Sequence, residues 1–255
     1  MGRPFGVPTA AITEDSALGG IDVQRSLRFR SNNTASLTRT PSSASNRKTF
    51  THSVWVKRSK LGAANILSAD NNSGSTYGSF FFESSTDRLQ FNSIVSGSQS
   101  IVAYTSSVFR DVTAWYHIVL VVDTTQATNS NGLKIYVNGT QQTITFTDYN
   151  QNADTSFNNN VEQLIGKLQS GSEKFDGYMT EVNFIDGQAL DSTYFGFTDS
   201  QTGIWMPKRY EGTYGTNGFY LKFADNSGTS ATTMGKDSSG NGNNWTPNNI
   251  SVTSD

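Results

Sequence analysis

Two histidines, scattered carboxylates and twenty-six Phe and Tyr rings are the side chains with which this sequence could do chemistry. Retaining hydrolysis of a glycosidic bond needs two carboxyl groups about 5 Å apart with separated pKa values. Glu181 falls inside a predicted strand, yet Met179 and Asn183, its expected same-face neighbours two positions away, carry no acid. It therefore reads as a solvated or hydrogen-bonded strand residue. His52 and His117 sit within apolar strands, so a nucleophile–base pair would have to form inside the core, and packing is the expected role of both. No glycine-rich phosphate loop opens a helix, and Gly240-Asn241-Gly242 reads as a turn. Recognition of a sugar asks instead for an exposed aromatic plane flanked by hydrogen-bonding groups. Tyr77, Tyr149, Trp205, Tyr210 and Tyr214, all in stretches rich in Gly, Asn and Thr, are the candidate glycan-binding residues; capping the edge of a sheet is the alternative for each.

The bulk composition narrows the function classes. The net charge is −2 and no basic run exceeds two residues, so the counterion-release footprint of a nucleic-acid binder is missing and no nucleic-acid partner is expected. No stretch reaches the eighteen or so apolar residues needed to span a bilayer, and residues 1–24 lack the basic start and apolar run of a signal peptide, so membrane insertion is not expected. The absence of cysteine removes disulfides and thiolate chemistry, and points to a bacterial or viral source for a module of extracellular type.

The elements that must position these residues are strands. Aromatics make up 12% of the chain, and Ser, Thr, Asn and Gly dominate its polar part, a mixture suited to short strands and polar turns. Alternation places Phe50, His52, Val54 and Val56 on one face, with Trp55 opposite. Phe80–Phe82 and Arg88–Phe91 bracket a polar turn in the form of a hairpin. The run from Trp115 to Asp123 is too continuously apolar for a half-exposed strand and predicts a central one, buried on both faces. Asn138-Gly139 supplies the two positive-φ residues of a type I′ turn, which predicts a hairpin over residues 133–144. Further strands are expected at 163–166, 177–185 and 218–223, and a short helix at 191–195 capped by Asp191 or Ser192. Two packed antiparallel sheets follow; a barrel is the rival.

Three stretches in this order resemble the concanavalin A-like lectin/glucanase fold, in its laminin G and pentraxin branch. Val54-Trp55-Val56-Lys57 is similar to an early strand of that family. Trp115-Tyr116-His117-Ile118 followed by Ile135-Tyr136-Val137-Asn138-Gly139 is similar to its "W-x-H-I" strand and "lYvNG" hairpin, and Phe175–Phe184 with Ala189-Leu190-Asp191 to its closing strand and turn. The resemblance implies an all-β, two-sheet antiparallel sandwich of the concanavalin A-like jelly-roll type. β-Glucan-cleaving enzymes of that fold carry Glu-x-Asp-x-x-Glu on one strand; no such strand occurs here, so a non-enzymatic module is implied. Relatives that hold calcium use loop carboxylates and amides, which makes Asp70, Asn72, Asp237 and Asn241 the candidate ligands, with turn formation as the alternative and no cofactor strictly required.

Residues 203–245 resemble the extension found beside this domain in tailed-bacteriophage virion proteins. The organisation expected is an extended N-terminal arm over 1–24, the sandwich over 25–200, and a C-terminal extension over 201–255 that packs on the sandwich or docks to a neighbour. The implied protein is a virion component on the outer surface of head or tail, a capsid decoration or tail-fibre-like part, whose partners are other virion proteins, copies of itself, or host-surface polysaccharide. Phe5, Val7, Ile12, Trp205, Met206 and Trp245 are the candidate docking anchors. A soluble or surface carbohydrate-binding lectin module is the alternative, and a degenerate glycoside hydrolase the third reading.

Overall fold

The computed structural model describes residues 19–252. Two antiparallel sheets face each other across one core. The first contains β1 (Leu27–Phe29), β3 (Thr49–Arg58), β8 (Tyr116–Asp123), β9 (Leu133–Val137), β10 (Thr140–Gln141), β13 (Gly177–Asp186) and β16 (Phe219–Leu221), ordered β1-β13-β3-β8-β9-β10 with β16 also on β13. The second contains β2 (Ser36–Arg39), β4 (Ala64–Asp70), β5 (Tyr77–Phe82), β6 (Arg88–Val95), β7 (Ser98–Val108), β11 (Ile144–Tyr149), β12 (Glu162–Ile165) and β17 (Thr246–Asn248), ordered β11-β7-β6-β5-β4-β12-β2-β17. Phe50, Val54 and Val56 of the first sheet meet Phe80, Phe82 and Phe91 of the second, all fully buried, as the alternation requires. No helix among the described residues is long and apolar enough to cross a membrane.

The run Tyr116–Asp123 is central, between β3 and β9, and its apolar residues are buried on both sides. Ile118, Leu120 and Val122 face the sandwich core, whereas Val119 and Val121 belong to a second apolar cluster on the outer face with Ile185, Phe195, Tyr210, Tyr214 and Tyr220. That cluster is roofed by residues 187–217, which include a 3₁₀ turn at Ser192–Tyr194, capped by Asp191 through its bond from the Thr193 N–H, and the small ribbon β14 (Gly196–Thr198) with β15 (Trp205–Pro207).

Asn138 and Gly139 take φ of 48° and 80°, as the turn demands, but the returning strand β10 ends at Gln141. From Ile144 the chain crosses to the other sheet and pairs as β11 with β7, so the expected hairpin is shorter than its alternation suggests. The C-terminal residues belong to the sandwich itself: β16 joins the first sheet, β17 the second, and Trp245 is fully buried with its ring 4.8 Å from that of Phe219. Trp245 is thus a core residue, which corrects its expected role as a docking anchor. Phe5, Val7 and Ile12 lie outside the described residues.

One end of the sandwich is pinned by a buried ion pair. Arg58, on β3, has no exposed surface; its guanidinium bonds Asp87 in the β5–β6 turn and the carbonyls of Gly62 and Phe109, each at 2.8 Å, and lies 4.3 Å from the Phe82 ring centroid. Burial pushes the Asp87 carboxyl up, but the Gly62 N–H, Arg58 and Arg110 outweigh it and hold the group below its ordinary value. Removing one partner of such a pair strands the other charge and costs about 3–5 kcal/mol. Arg58→Met should therefore lower unfolding stability by that order in urea titrations. Because Asp87 titrates lower folded than unfolded, its contribution is whole above about pH 4 and lost as pH falls through the folded value; Asp87→Asn should flatten that acid limb.

Candidate functional site

Where the roof over the first sheet ends, an open cleft of about 430 Å³ remains, and three of the chain's four tryptophans, Trp55, Trp115 and Trp205, line it. Trp55 comes from the outer face of β3, opposite the core residues Val54 and Val56, and Trp115 from the residue just before β8. Trp205 opens β15 and arrives from the roof. Ile204, more than half exposed, and Met206 extend the apolar wall, and Gln24, Arg25 and Thr180 supply polar groups. Among the described residues, no carboxylate lines the cleft. Residues 23–26 close its remaining side, held by the Thr180 hydroxyl donating to the Arg25 carbonyl at 2.7 Å and, just upstream, by the Ile21 N–H donating to the Pro207 carbonyl at 3.2 Å.

Buried contacts fix the rings. Trp55 stacks on His117 at 4.9 Å, and the His117 and Trp205 planes are nearly parallel at 6.0 Å. The Trp205 indole N–H lies 2.9 Å from His117 Nδ1. An indole nitrogen only donates, so Nδ1 accepts and the ring proton sits on Nε2, which donates to the Ser53 hydroxyl at 2.9 Å. Gly139 and Gly196 leave room for the Trp205 ring: a Cβ on either would fall 2.5 Å from its atoms. The Trp55 indole N–H, in contrast, is buried without a partner among the described residues.

Beside the cleft, β13 carries an irregularity that changes which residues share a face. Thr180 pairs with Trp55 and Asn183 with Ser53, so Glu181 and Val182 together oppose one residue of β3. Val182 and Met179 face the core, Asn183 faces outward and bonds the Tyr214 hydroxyl, and Glu181 takes φ of 51°. The bulge thus corrects the expected alternation of Met179, Glu181 and Asn183. A bulge re-aims a side chain, and a non-glycine residue in the left-handed region costs about 1–3 kcal/mol, held by its surroundings. The Glu181 carboxylate accepts a hydrogen bond from Tyr220, and burial raises its pKa despite that bond and the nearby Lys222 and Arg209.

Of the residues expected to meet a glycan, the cleft contains Trp205. Tyr77 lies on β5 in the other sheet, paired with Asp70 and Ile94, and Tyr149 ends β11 with its hydroxyl donating to the Gln126 carbonyl at 2.6 Å. Tyr210 and Tyr214 are buried beneath the roof, ring against ring at 5.1 Å, and present no face to a ligand; this corrects their assignment. The expected calcium ligands divide between two separate turns. Asp237 accepts the N–H groups of Tyr220, Ser239 and Asn243 and the Ser239 hydroxyl, while Asn241 donates to the Gly215 and Gly218 carbonyls. Asp70 accepts the Asn72 N–H at 2.6 Å. Asp237 and Asn241 shape their turn through these bonds, and among the described residues no group of three His, Cys, Asp or Glu could hold a metal ion. Trp55 and Trp115 escaped sequence reasoning, although an indole on the polar side of an alternating strand was the available signal.

Both histidines are wholly buried and neutral. Desolvation lowers the pKa of His117 to about 3 and, against the Asn183 carbonyl that favours its protonation, that of His52 to about 4. An unfolded imidazole titrates near 6.5, so each contributes stability that is whole above that pH and is lost as pH falls toward the folded value. Between pH 7.5 and 5 the unfolding free energy should drop by about 2 kcal/mol per histidine. Urea titrations at the two pH values check this, and His52→Leu should halve the drop.

A family model described as the concanavalin A-like lectin/glucanases superfamily matches residues 30–194. Among solved structures the chain is similar to a Bacteroides ovatus protein proposed to bind carbohydrate, with 15% identity, a TM-score of 0.53, and coverage of 89% of this chain and 59% of that one. It is also similar to a heptameric SAP-like pentraxin from Limulus polyphemus (16% identity, 68% of this chain and 81% of that one, TM-score 0.49) and to domains LG4-5 of the mouse laminin α1 chain (12%, 68% and 44%, TM-score 0.46). No curated protein matches the sequence.

Proposed function

The chain belongs to the concanavalin A-like lectin/glucanase superfamily, and on that premise we propose that it is a carbohydrate-binding module whose ligand seats in the tryptophan cleft. The convergence of Trp55, Trp115 and Trp205 on one open cleft carries this reading. Indole faces match the apolar faces of sugar rings, and Gln24, Arg25 and Thr180 offer partners for hydroxyl groups. A module that binds without cleaving accords with a cleft whose described lining residues include no carboxylate, since hydrolysis needs two. Trp115 is the residue to change, because Trp205 is wedged between glycines and its loss would disturb the fold. On a glycan array, Trp115→Ala should weaken binding of every retained saccharide about tenfold, the worth of about 1.4 kcal/mol of ring contact, with the melting temperature unchanged. An array without a bound saccharide would refute the reading.

The reading includes no cofactor: the melting temperature should be the same with and without a chelator, and a fall would restore calcium at Asp70 and Asn72. It also extends to location. We place the module on the outer surface of a virion, on head or tail, supported by the likeness of residues 203–245 to the extension beside this domain in tailed-phage virion proteins and by the absence of cysteine. Host-surface polysaccharide would then be its ligand, and copies of itself or other virion proteins its partners through Phe5, Val7 and Ile12. Light scattering should find an assembly that dissociates when residues 1–24 are removed.

A further inference from the structure

Adjoining the tryptophan cleft, and sharing Gln24 and Arg25 with it, is a smaller recess of about 160 Å³. Glu181 lines it with only 9% of its surface exposed, aimed there by the bulge in β13 and tied to the Tyr220 hydroxyl. Arg25, Arg209 and Lys222 also line it. None of these three cations makes a side-chain hydrogen bond or ion pair with a described residue; Lys222 rests over the Tyr220 ring at 5.2 Å. The other carboxylate, Asp22, is taken by the Gln24 amide. The lining holds three cations against two carboxylates, with Asp225 just outside it and within the field of Arg25, and the cations stand around open space instead of closing on Glu181.

We propose that this recess receives the acidic group, a uronate carboxylate or a sulfate ester, of an anionic saccharide whose neighbouring ring lies in the tryptophan cleft. The proposal rests on the cleft being a saccharide site. Arginine presents a planar fork of donors that pairs two oxygens of such a group at once, and a charge-assisted bond there is stronger than one to a neutral hydroxyl. Arg25 lines both hollows, so a chain running from one to the other passes it. Burial raises the Glu181 carboxyl above its ordinary value, which lessens the repulsion an incoming anion meets there.

The test uses the full chain on an array in which each acidic oligosaccharide is printed beside its neutral counterpart, the methyl ester or the desulfated form, with inorganic sulfate as competitor. The acidic member of each retained pair should bind about tenfold more tightly or better. Arg209→Gln and Lys222→Gln should bring that ratio toward one while leaving the neutral member's affinity unaltered, and Glu181→Gln should preserve or raise it. A merely structural role for these side chains would move both members of a pair together. Equal binding of acidic and neutral members, with Trp115→Ala weakening both alike, would overturn the acidic recess and leave the saccharide cleft standing. Binding of inorganic sulfate without any preference for the acidic saccharide would also overturn it, and an array with nothing bound would remove both readings.

Discussion

The first sheet of this protein is apolar on both faces, and much of the remaining architecture answers that constraint. One face closes against the second sheet, as in any sandwich. The other carries Val119, Val121 and Ile185, and would expose a broad hydrophobic surface if left bare. Residues 187–217 supply the roof, with Phe195, Tyr210 and Tyr214 as its inner lining. Tyrosine suits this layer because its ring is buried while its hydroxyl still finds a partner, as Tyr214 does on Asn183. The tryptophan cleft lies at the margin of that roof, where β3 and β8 still present large rings but the covering chain has thinned to Ile204, Trp205 and Met206.

The same constraint explains the strain in β13. Its edge away from β3 is shared by two short strands, β1 along its first half and β16 along its second. The extra residue at Glu181 falls between the two pairings, at the point where one neighbour stops and the other begins. A regular strand would have placed position 181 on the core face between Met179 and Asn183. With the bulge, Val182 takes the core place and the carboxylate is turned toward Tyr220 and the cations. Burying an ionised carboxylate there would be expensive, which is why its pKa moves upward despite two nearby positive groups.

These details mark the boundary of what the residues alone disclose. The sandwich, the buried β8 and the Asn138-Gly139 turn depend on composition, local periodicity and the φ preferences of two residues, and all were legible. The short return of β10 was not, because the switch of Ile144–Tyr149 to the other sheet depends on β7 as partner, and β7 and β4 announce themselves weakly amid their serines and alanines. Trp245, Tyr210 and Tyr214 sit in Gly- and Asn-rich stretches that look exposed; their burial depends on residues far away in sequence. The cleft shares this character. Trp55, Trp115 and Trp205 are separated by 60 and then 90 positions, and only the pairing of β3 with β8 and the path of the roof bring them together.

Long-range assembly also determines how stiff the cleft is. Trp205 is clamped by Gly139 and Gly196 and bonded to a histidine that itself stacks on Trp55, so two of the three rings are ordered before any ligand arrives. Side chains already immobilised lose little rotamer freedom on binding, and less of the contact energy is offset by ordering them. The neutral state of His117 is part of this device. A charged imidazole would have to turn a donor toward the Trp205 N–H, breaking the bond that orients the indole; burial keeps the ring uncharged and thereby keeps the aromatic wall in place.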